Sequence, residues 1–105
     1  MHTIAVIGLG YIGLPTAVIF AQRGYRVIGV DIDAKKVEAV NAGRSYIREP
    51  GFDEMLRDSV ARGLLSATTD AVAAVRQSDA VIIAMPTPVK MAWWTSPIYA
   101  RRWVP

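Results

Sequence analysis

The sequence predicts an α/β fold, part of a doubly wound parallel sheet of about four strands in the order 3-2-1-4. Three observations carry this. Short apolar, β-branched runs alternate with segments of helical periodicity. Glycine, proline or aspartate marks most of the junctions between them. The strongest runs are apolar at every position, as strands covered on both faces must be, and right-handed crossovers then leave few topologies open.

Thr3-Ile-Ala-Val-Ile7 reads as a buried strand that stops at Gly8. A helix is expected from about Tyr11 to Arg23, with Ile12, Thr16, Ile19 and Phe20 at helical spacing. Pro15 is tolerable in its first turn, and Gly24 can take the left-handed conformation just past its end. The chain returns as a second strand, Tyr25 to Val30, ending on Asp31. Asp33 is the expected N-cap of a helix through Val37 and Val40, with Gly43 as its stop. Pro50-Gly51 opens an amphipathic stretch in which Phe52, Met55, Leu56 and Val60 share a face, and Gly63 ends it. Leu64 to Thr68 is a third strand, and Asp70 caps a short helix through Val75. Asp79 precedes the apolar run Ala80–Met85, which Pro86-Thr-Pro88 stops because proline cannot donate to a sheet ladder. There is no internal repeat and no low-complexity tract.

Composition narrows the chemistry. A chain of 105 residues has room for one core, and 52% hydrophobic with 20% charged residues reads as globular. The absence of cysteine excludes a disulfide scaffold, a thiolate metal site and a thiol nucleophile. The single histidine, His2, reads as a solvated side chain, so no metal site is expected. A net charge of +3 would ordinarily suggest nucleic acid or an anionic membrane as partner. Two of the twelve Lys/Arg, Arg101 and Arg102, lie in the last fifteen residues, which hold no acid, so residues 1–90 set ten bases against nine acids. No nucleic-acid partner is therefore expected. All three tryptophans, Trp93, Trp94 and Trp103, also lie in that tail. Met1 to Gln22 carries no charge, but Gly8, Gly10, Gly13 and Pro15 suit a turn better than a spanning helix, and no basic residue precedes the run as in a signal peptide. The expectation is no membrane association and a cytoplasmic location.

Gly8-Leu-Gly10-Tyr-Ile-Gly13 fits G-x-G-x-x-G, a pattern that gains weight only from context. Here it follows a predicted strand and opens a predicted helix. Asp31 lies at the next strand end, 18 residues after the last glycine. In such a Rossmann-like unit the first glycine makes the tight turn, the second lets the backbone approach a pyrophosphate, and the third lets the helix pack close to the sheet. The helix N-terminus offers unpaired N–H groups and partial positive charge to the phosphates. A carboxylate at Asp31 accepts hydrogen bonds from an adenosine ribose and repels a 2′-phosphate, which favours NAD over NADP, although Lys35 and Lys36 could offset that repulsion. The plainer alternative is a tight βα turn beside a solvated aspartate. For Thr87, at the carboxyl end of the fourth strand, position alone leaves cofactor contact and ordinary loop equally open.

Together, Gly8-Leu-Gly-Tyr-Ile-Gly-Leu-Pro15, Val30-Asp31-Ile-Asp33, Asn41-Ala-Gly43, Glu49-Pro50 and Pro86-Thr-Pro-Val-Lys90 resemble the N-terminal domain of the UDP-glucose/GDP-mannose dehydrogenase family. The resemblance covers residues 3–90. It implies oxidation of the C6 alcohol of a nucleotide sugar to a carboxylate, with NAD as cofactor and a homo-oligomeric parent enzyme. It also implies that Tyr11 and Ile12 lie in the dinucleotide loop with Gly8, Gly10 and Gly13. Asp31 then binds the adenosine ribose, Lys36 flanks it, and Thr87 contacts NAD. The cysteine, lysine and asparagine of the family's catalytic apparatus, and the domain that binds the nucleotide sugar, are expected beyond residue 105. This chain alone is then an inactive NAD-binding piece with no catalytic residue. The rival expectation is a free-standing NAD-binding or interaction module. Pro86-Thr-Pro88 argues against other dehydrogenases that share the glycine turn.

After Lys90 the family pattern continues with Asp-Gly and then Asp-Leu-Thr-Tyr, whereas this chain reads Met91-Ala-Trp-Trp-Thr-Ser-Pro-Ile. Translating from the third base of an AAG codon for Lys90 gives Asp-Gly-(Val/Leu/Met)-Val-Asp, then codons compatible with Leu, Thr and Tyr. Residues 1–90 are thus expected to form the NAD-binding half-domain, and residues 91–105 to be a frame-shifted tail. The rival for the tail is an aromatic and basic patch. Without later strands, Ala80–Met85 is an apolar edge prone to aggregation, and the fold is expected to be marginal.

Overall fold

The computed structural model describes residues 2–84. They form β1 (Thr3–Ile7), α1 (Gly13–Gln22), β2 (Arg26–Val30), α2 (Ala34–Asn41), α3 (Phe52–Ala61), β3 (Leu65–Thr68), α4 (Ala71–Arg76) and β4 (Ala80–Ile83). The sheet order is β3-β2-β1-β4 and every pair is parallel, as predicted. β1 lies inside the sheet, with Ile4 opposite Val27 on one side and Ala80 on the other.

The alternation of side chains along each strand separates two cores. Ile4, Val6, Val27 and Leu65 face α1, α2 and α3, where Leu14, Val18, Val40, Phe52 and Leu56 complete the larger core. The crossovers from β1 to β2 to β3 step in one direction, so right-handedness puts their helices on this face. The step back from β3 to β4 sends α4 to the other face, where Ala74 packs on Ala5, Ile28 and Val30. That second face is thinly covered: Val81 is 41% and Ile83 69% exposed.

Two helix faces differ from expectation. In α1 the buried residues are Gly13, Leu14, Ala17, Val18 and Ala21, whereas Ile12 and Ile19 are exposed. The expected stripe of Ile12, Thr16, Ile19 and Phe20 is therefore largely the outer side of the helix. Gly13, Ala17 and Ala21 let α1 lie close to the sheet while Leu14 and Val18 fill the core, and Ile12 and Ile19 are turned away. In α3, Phe52 and Leu56 are buried as expected, but Met55 is 41% exposed and Ser59 is fully buried. Ser59 is satisfied locally: its hydroxyl donates to the Met55 carbonyl at 2.8 Å and accepts from Gln22 Nε2 at 2.8 Å.

Polar side chains fix the sheet margins. Asn41, the last residue of α2, donates to the Ala67 carbonyl and accepts from the Ala67 amide, both at 2.9 Å, and so pairs with the outer edge of β3. Asp79 accepts from the Thr3 amide at 2.8 Å and its own amide donates to the Thr3 carbonyl at 2.7 Å, setting the register of β4. His2 is exposed, with Nδ1 3.9 Å from Asp79. β4 ends at Ile83, and Met85 lies outside the described residues, as do Pro86-Thr-Pro88 and the tail. The uncharged N-terminal run is a strand, a turn and a helix, and no helix among the described residues is long and apolar enough to cross a membrane.

Candidate functional site

The carboxyl ends of β1 and β2 meet at the glycine-rich turn, and the three glycines there have three different physical reasons. Gly8 has φ +98°, and its amide extends the β1–β2 ladder by donating to the Val30 carbonyl at 2.7 Å. At Gly13 a Cβ would lie 1.6 Å from the Gly8 carbonyl oxygen, so any side chain would drive the helix off the turn. Gly10 has neither constraint: its φ is not positive and, among the described residues, no heavy atom lies within 4 Å of where its Cβ would be. The protein's own packing does not require glycine at this position. The backbone is left bare there, which is the fit expected of a pyrophosphate.

The helix that follows is open to an anion. α1 has no side-chain N-cap and no acid in its first turn, so its positive end is uncompensated among the described residues. Tyr11 and Ile12 flank this end and are 80% and 75% exposed.

Asp31 stands just past β2, and its carboxylate is already engaged. Oδ2 accepts from the Leu9 amide at 2.9 Å and Oδ1 accepts from the Asp33 amide at 2.8 Å. Each carboxylate oxygen has two acceptor sites, so one remains on each for an incoming hydroxyl. Asp33 in turn caps α2, accepting from the Lys35 amide at 2.9 Å. Lys36, one helical step on, has its Nζ 5.9 Å from the centre of the Tyr46 ring.

These groups enclose two adjoining clefts. One, of about 480 Å3, is lined by Gly8, Gly10, Asp31, Ile32, Lys36 and Thr69, among others. The second, of about 410 Å3, lies between Gly10, Tyr11, Lys35, Lys36, Ala39 and Tyr46. Both open at the carboxyl end of the sheet, where ligands of open α/β folds bind. Of the site residues expected from sequence, Gly8, Gly10, Asp31 and Lys36 line the first cleft, Tyr11 lines the second, and Ile12 and Gly13 open α1 beside them. Thr87 lies outside the described residues.

Sequence reasoning missed Ile32, Thr69 and Tyr46. Ile32 and Thr69 sit two residues and one residue beyond the ends of β2 and β3, positions that could have nominated them. Nothing in the spacing marks Tyr46, which reaches the site from the loop between α2 and α3. Burial, then the nearby carboxylates of Asp31 and Asp33, hold its hydroxyl well above the usual tyrosine range. It remains a protonated donor at neutral pH and bonds to the Leu9 carbonyl. Among the described residues no group of three or more His, Cys, Asp or Glu could hold a metal ion.

Residues 2–96 match the family described as UDP-glucose/GDP-mannose dehydrogenase family, NAD binding domain. The chain is 52% identical over 89 residues to a UDP-N-acetyl-D-mannosamine dehydrogenase of Yersinia pestis, covering 85% of this chain and 20% of that protein. It is 51% identical over 87 residues to an NDP-N-acetyl-D-galactosaminuronic acid dehydrogenase of Ralstonia nicotianae, covering 83% and 20%. Its fold is similar to that of a UDP-glucose dehydrogenase of Pyrobaculum islandicum, with a TM-score of 0.80 and 44% identity over 84% of this chain and 20% of that one. The chain thus spans about a fifth of the length of these relatives. With a parallel sheet in the order β3-β2-β1-β4, a glycine-rich turn between β1 and α1 and a matching sequence across most of its length, the chain belongs to the UDP-glucose/GDP-mannose dehydrogenase family and carries that family's NAD-binding domain.

Proposed function

We propose that this chain is the cofactor-binding part of a nucleotide-sugar 6-dehydrogenase, one that oxidises UDP-N-acetyl-D-mannosamine to the corresponding uronate. The observation that carries the cofactor role is Gly10, whose backbone is bare among the described residues on the side a Cβ would occupy, which leaves room for a pyrophosphate to approach. In this reading the pyrophosphate lies over Gly8, Gly10 and Gly13 at the start of α1, flanked by Tyr11 and Ile12. The adenosine ribose donates to the free acceptor sites of Asp31, and Lys36 and Thr87 complete the contacts. Bound NAD supplies the hydride acceptor. The protein's part is to hold it with its ribose and phosphates fixed. The choice of sugar rests on identity alone, and relatives of nearly equal identity are named for galactosaminuronic acid.

The same reading makes residues 1–90 the NAD-binding half-domain and residues 91–105 an out-of-frame continuation of the family pattern. The chain has no cysteine for the family's second oxidation, so it binds NAD without turning over. The parent enzyme is then a cytoplasmic homo-oligomer of polysaccharide biosynthesis. Calorimetric titration with NAD, followed by an NADH absorbance assay with UDP-N-acetyl-D-mannosamine, tests both halves of the proposal. Binding without turnover supports it. Turnover by this chain alone contradicts the inactive reading, and absence of binding contradicts the cofactor role. Sequencing the gene across the Lys90 codon tests the tail, and a shifted frame without the family pattern would refute it.

A further inference from the structure

We infer that Tyr46 is a positioning residue of the cofactor site, holding the glycine turn in its binding shape through the Leu9 peptide. The inference rests on the reading that this turn carries the pyrophosphate. Leu9 is the residue between Gly8 and Gly10, and it is held from three sides. Its amide donates to Asp31 Oδ2 at 2.9 Å. Its side chain is fully buried and lies on β2 at Gly29, where a Cβ would come within 2.7 Å of Leu9 Cδ2. Its carbonyl accepts from the Tyr46 hydroxyl, and no backbone amide donates to that carbonyl among the described residues.

The turn between β1 and α1 is otherwise short of bonds. Gly8 is tied to Val30 and the Gly10 carbonyl to the Leu14 amide, which leaves the Leu9 carbonyl to a side chain. Tyr46 is the donor, and its ring is packed against the larger core. Lys36, over that ring, adds a cation–π contact at 5.9 Å. The second cleft, between Tyr11, Lys36 and Tyr46, is the space this arrangement encloses. The contact of Tyr46 on which this inference rests is with the turn, through the Leu9 carbonyl. By fixing the Leu9 peptide plane it fixes the direction of the next amide, that of Gly10, and a prearranged turn binds without having to be ordered by its ligand.

The test is Tyr46→Phe in the full 105-residue chain, because it removes only the hydroxyl and keeps the ring. NAD affinity is read by calorimetry and adenosine affinity by NMR titration. Adenosine reaches Asp31 but carries no pyrophosphate. Loss of one neutral hydrogen bond predicts NAD binding weaker by about three- to ten-fold, with adenosine binding unchanged. Amide exchange at Leu9 and Gly10 in the free protein should also speed up. An unchanged NAD affinity, or an equal loss for NAD and adenosine, overturns the inference. If the unsubstituted chain binds adenosine but not NAD, the pyrophosphate reading itself has failed. Unchanged exchange at Leu9 and Gly10 would refute the clamp even then.

Discussion

The Leu9 amide donates to the Asp31 carboxylate at 2.9 Å, joining the glycine turn to the end of the second strand across 22 residues of chain. Asp31 therefore has two tasks. It shapes the turn in the free protein and, in the proposed function, offers its remaining acceptor sites to a ribose, so a substitution there is expected to act on stability as well as on binding.

Asp31→Ala leaves the Leu9 and Asp33 amides without their acceptor. Hydrogen bonds to a charged group predict a loss of about 2 kcal/mol in unfolding free energy, the half-burial of the site keeping it at the lower end of the range. Urea denaturation checks this, and Asp31→Asn, which keeps one acceptor oxygen, should lose about half as much.

Leu56 is fully buried under α3, whereas Met55 beside it is 41% exposed. Leu56→Ala should cost about 3 kcal/mol, and Met55→Ala less than about 1 kcal/mol. Equal costs in thermal or urea unfolding would show that Met55 belongs to the core face after all.

These two residues show where the sequence was legible. Strand identities, sheet order and the glycine turn were all readable, because β-branched runs, glycines and crossover handedness leave few alternatives. The packed faces of α1 and α3 were not. The apolar residues of α1 span more than one face, and the one that packs combines Leu14 and Val18 with the small Gly13, Ala17 and Ala21 that close approach to a sheet selects. Ser59 was invisible because its burial depends on Gln22, 37 residues away in sequence. In the site, Gly8, Gly10, Gly13 and Asp31 could be found from their spacing, whereas Tyr46 is brought to Leu9 only by the tertiary fold.

Asn41 makes two hydrogen bonds to Ala67 on the outer edge of β3, both exposed. Asn41→Ala should cost about 1 kcal/mol and should speed amide exchange at Ala67, measured by NMR, while leaving exchange at Val27 in the sheet interior unchanged.

Burial, with Asp31 and Asp33 adding to it, raises the Tyr46 hydroxyl above the usual tyrosine range. The folded state thus holds this proton more tightly than the unfolded chain does. Its contribution to stability is complete below the ordinary tyrosine pKa of about 10 and is lost as pH rises beyond that. Urea unfolding between neutral and alkaline pH should show a fall in stability above about pH 10 that is shallower in Tyr46→Phe.

The second and third glycines of the turn separate folding from binding. Gly13→Ala places a Cβ 1.6 Å from the Gly8 carbonyl oxygen and should cost more than about 3 kcal/mol, visible as loss of a cooperative thermal transition. Gly10→Ala meets no heavy atom within 4 Å and should melt as the unsubstituted chain does.

The most direct measurement is calorimetric titration of NAD into the Gly10→Ala chain beside the unsubstituted one. The account predicts binding by the unsubstituted chain and a loss of at least about ten-fold in Gly10→Ala, with the melting temperature unchanged. Equal NAD affinity in the two proteins would contradict the placement of the dinucleotide on this turn.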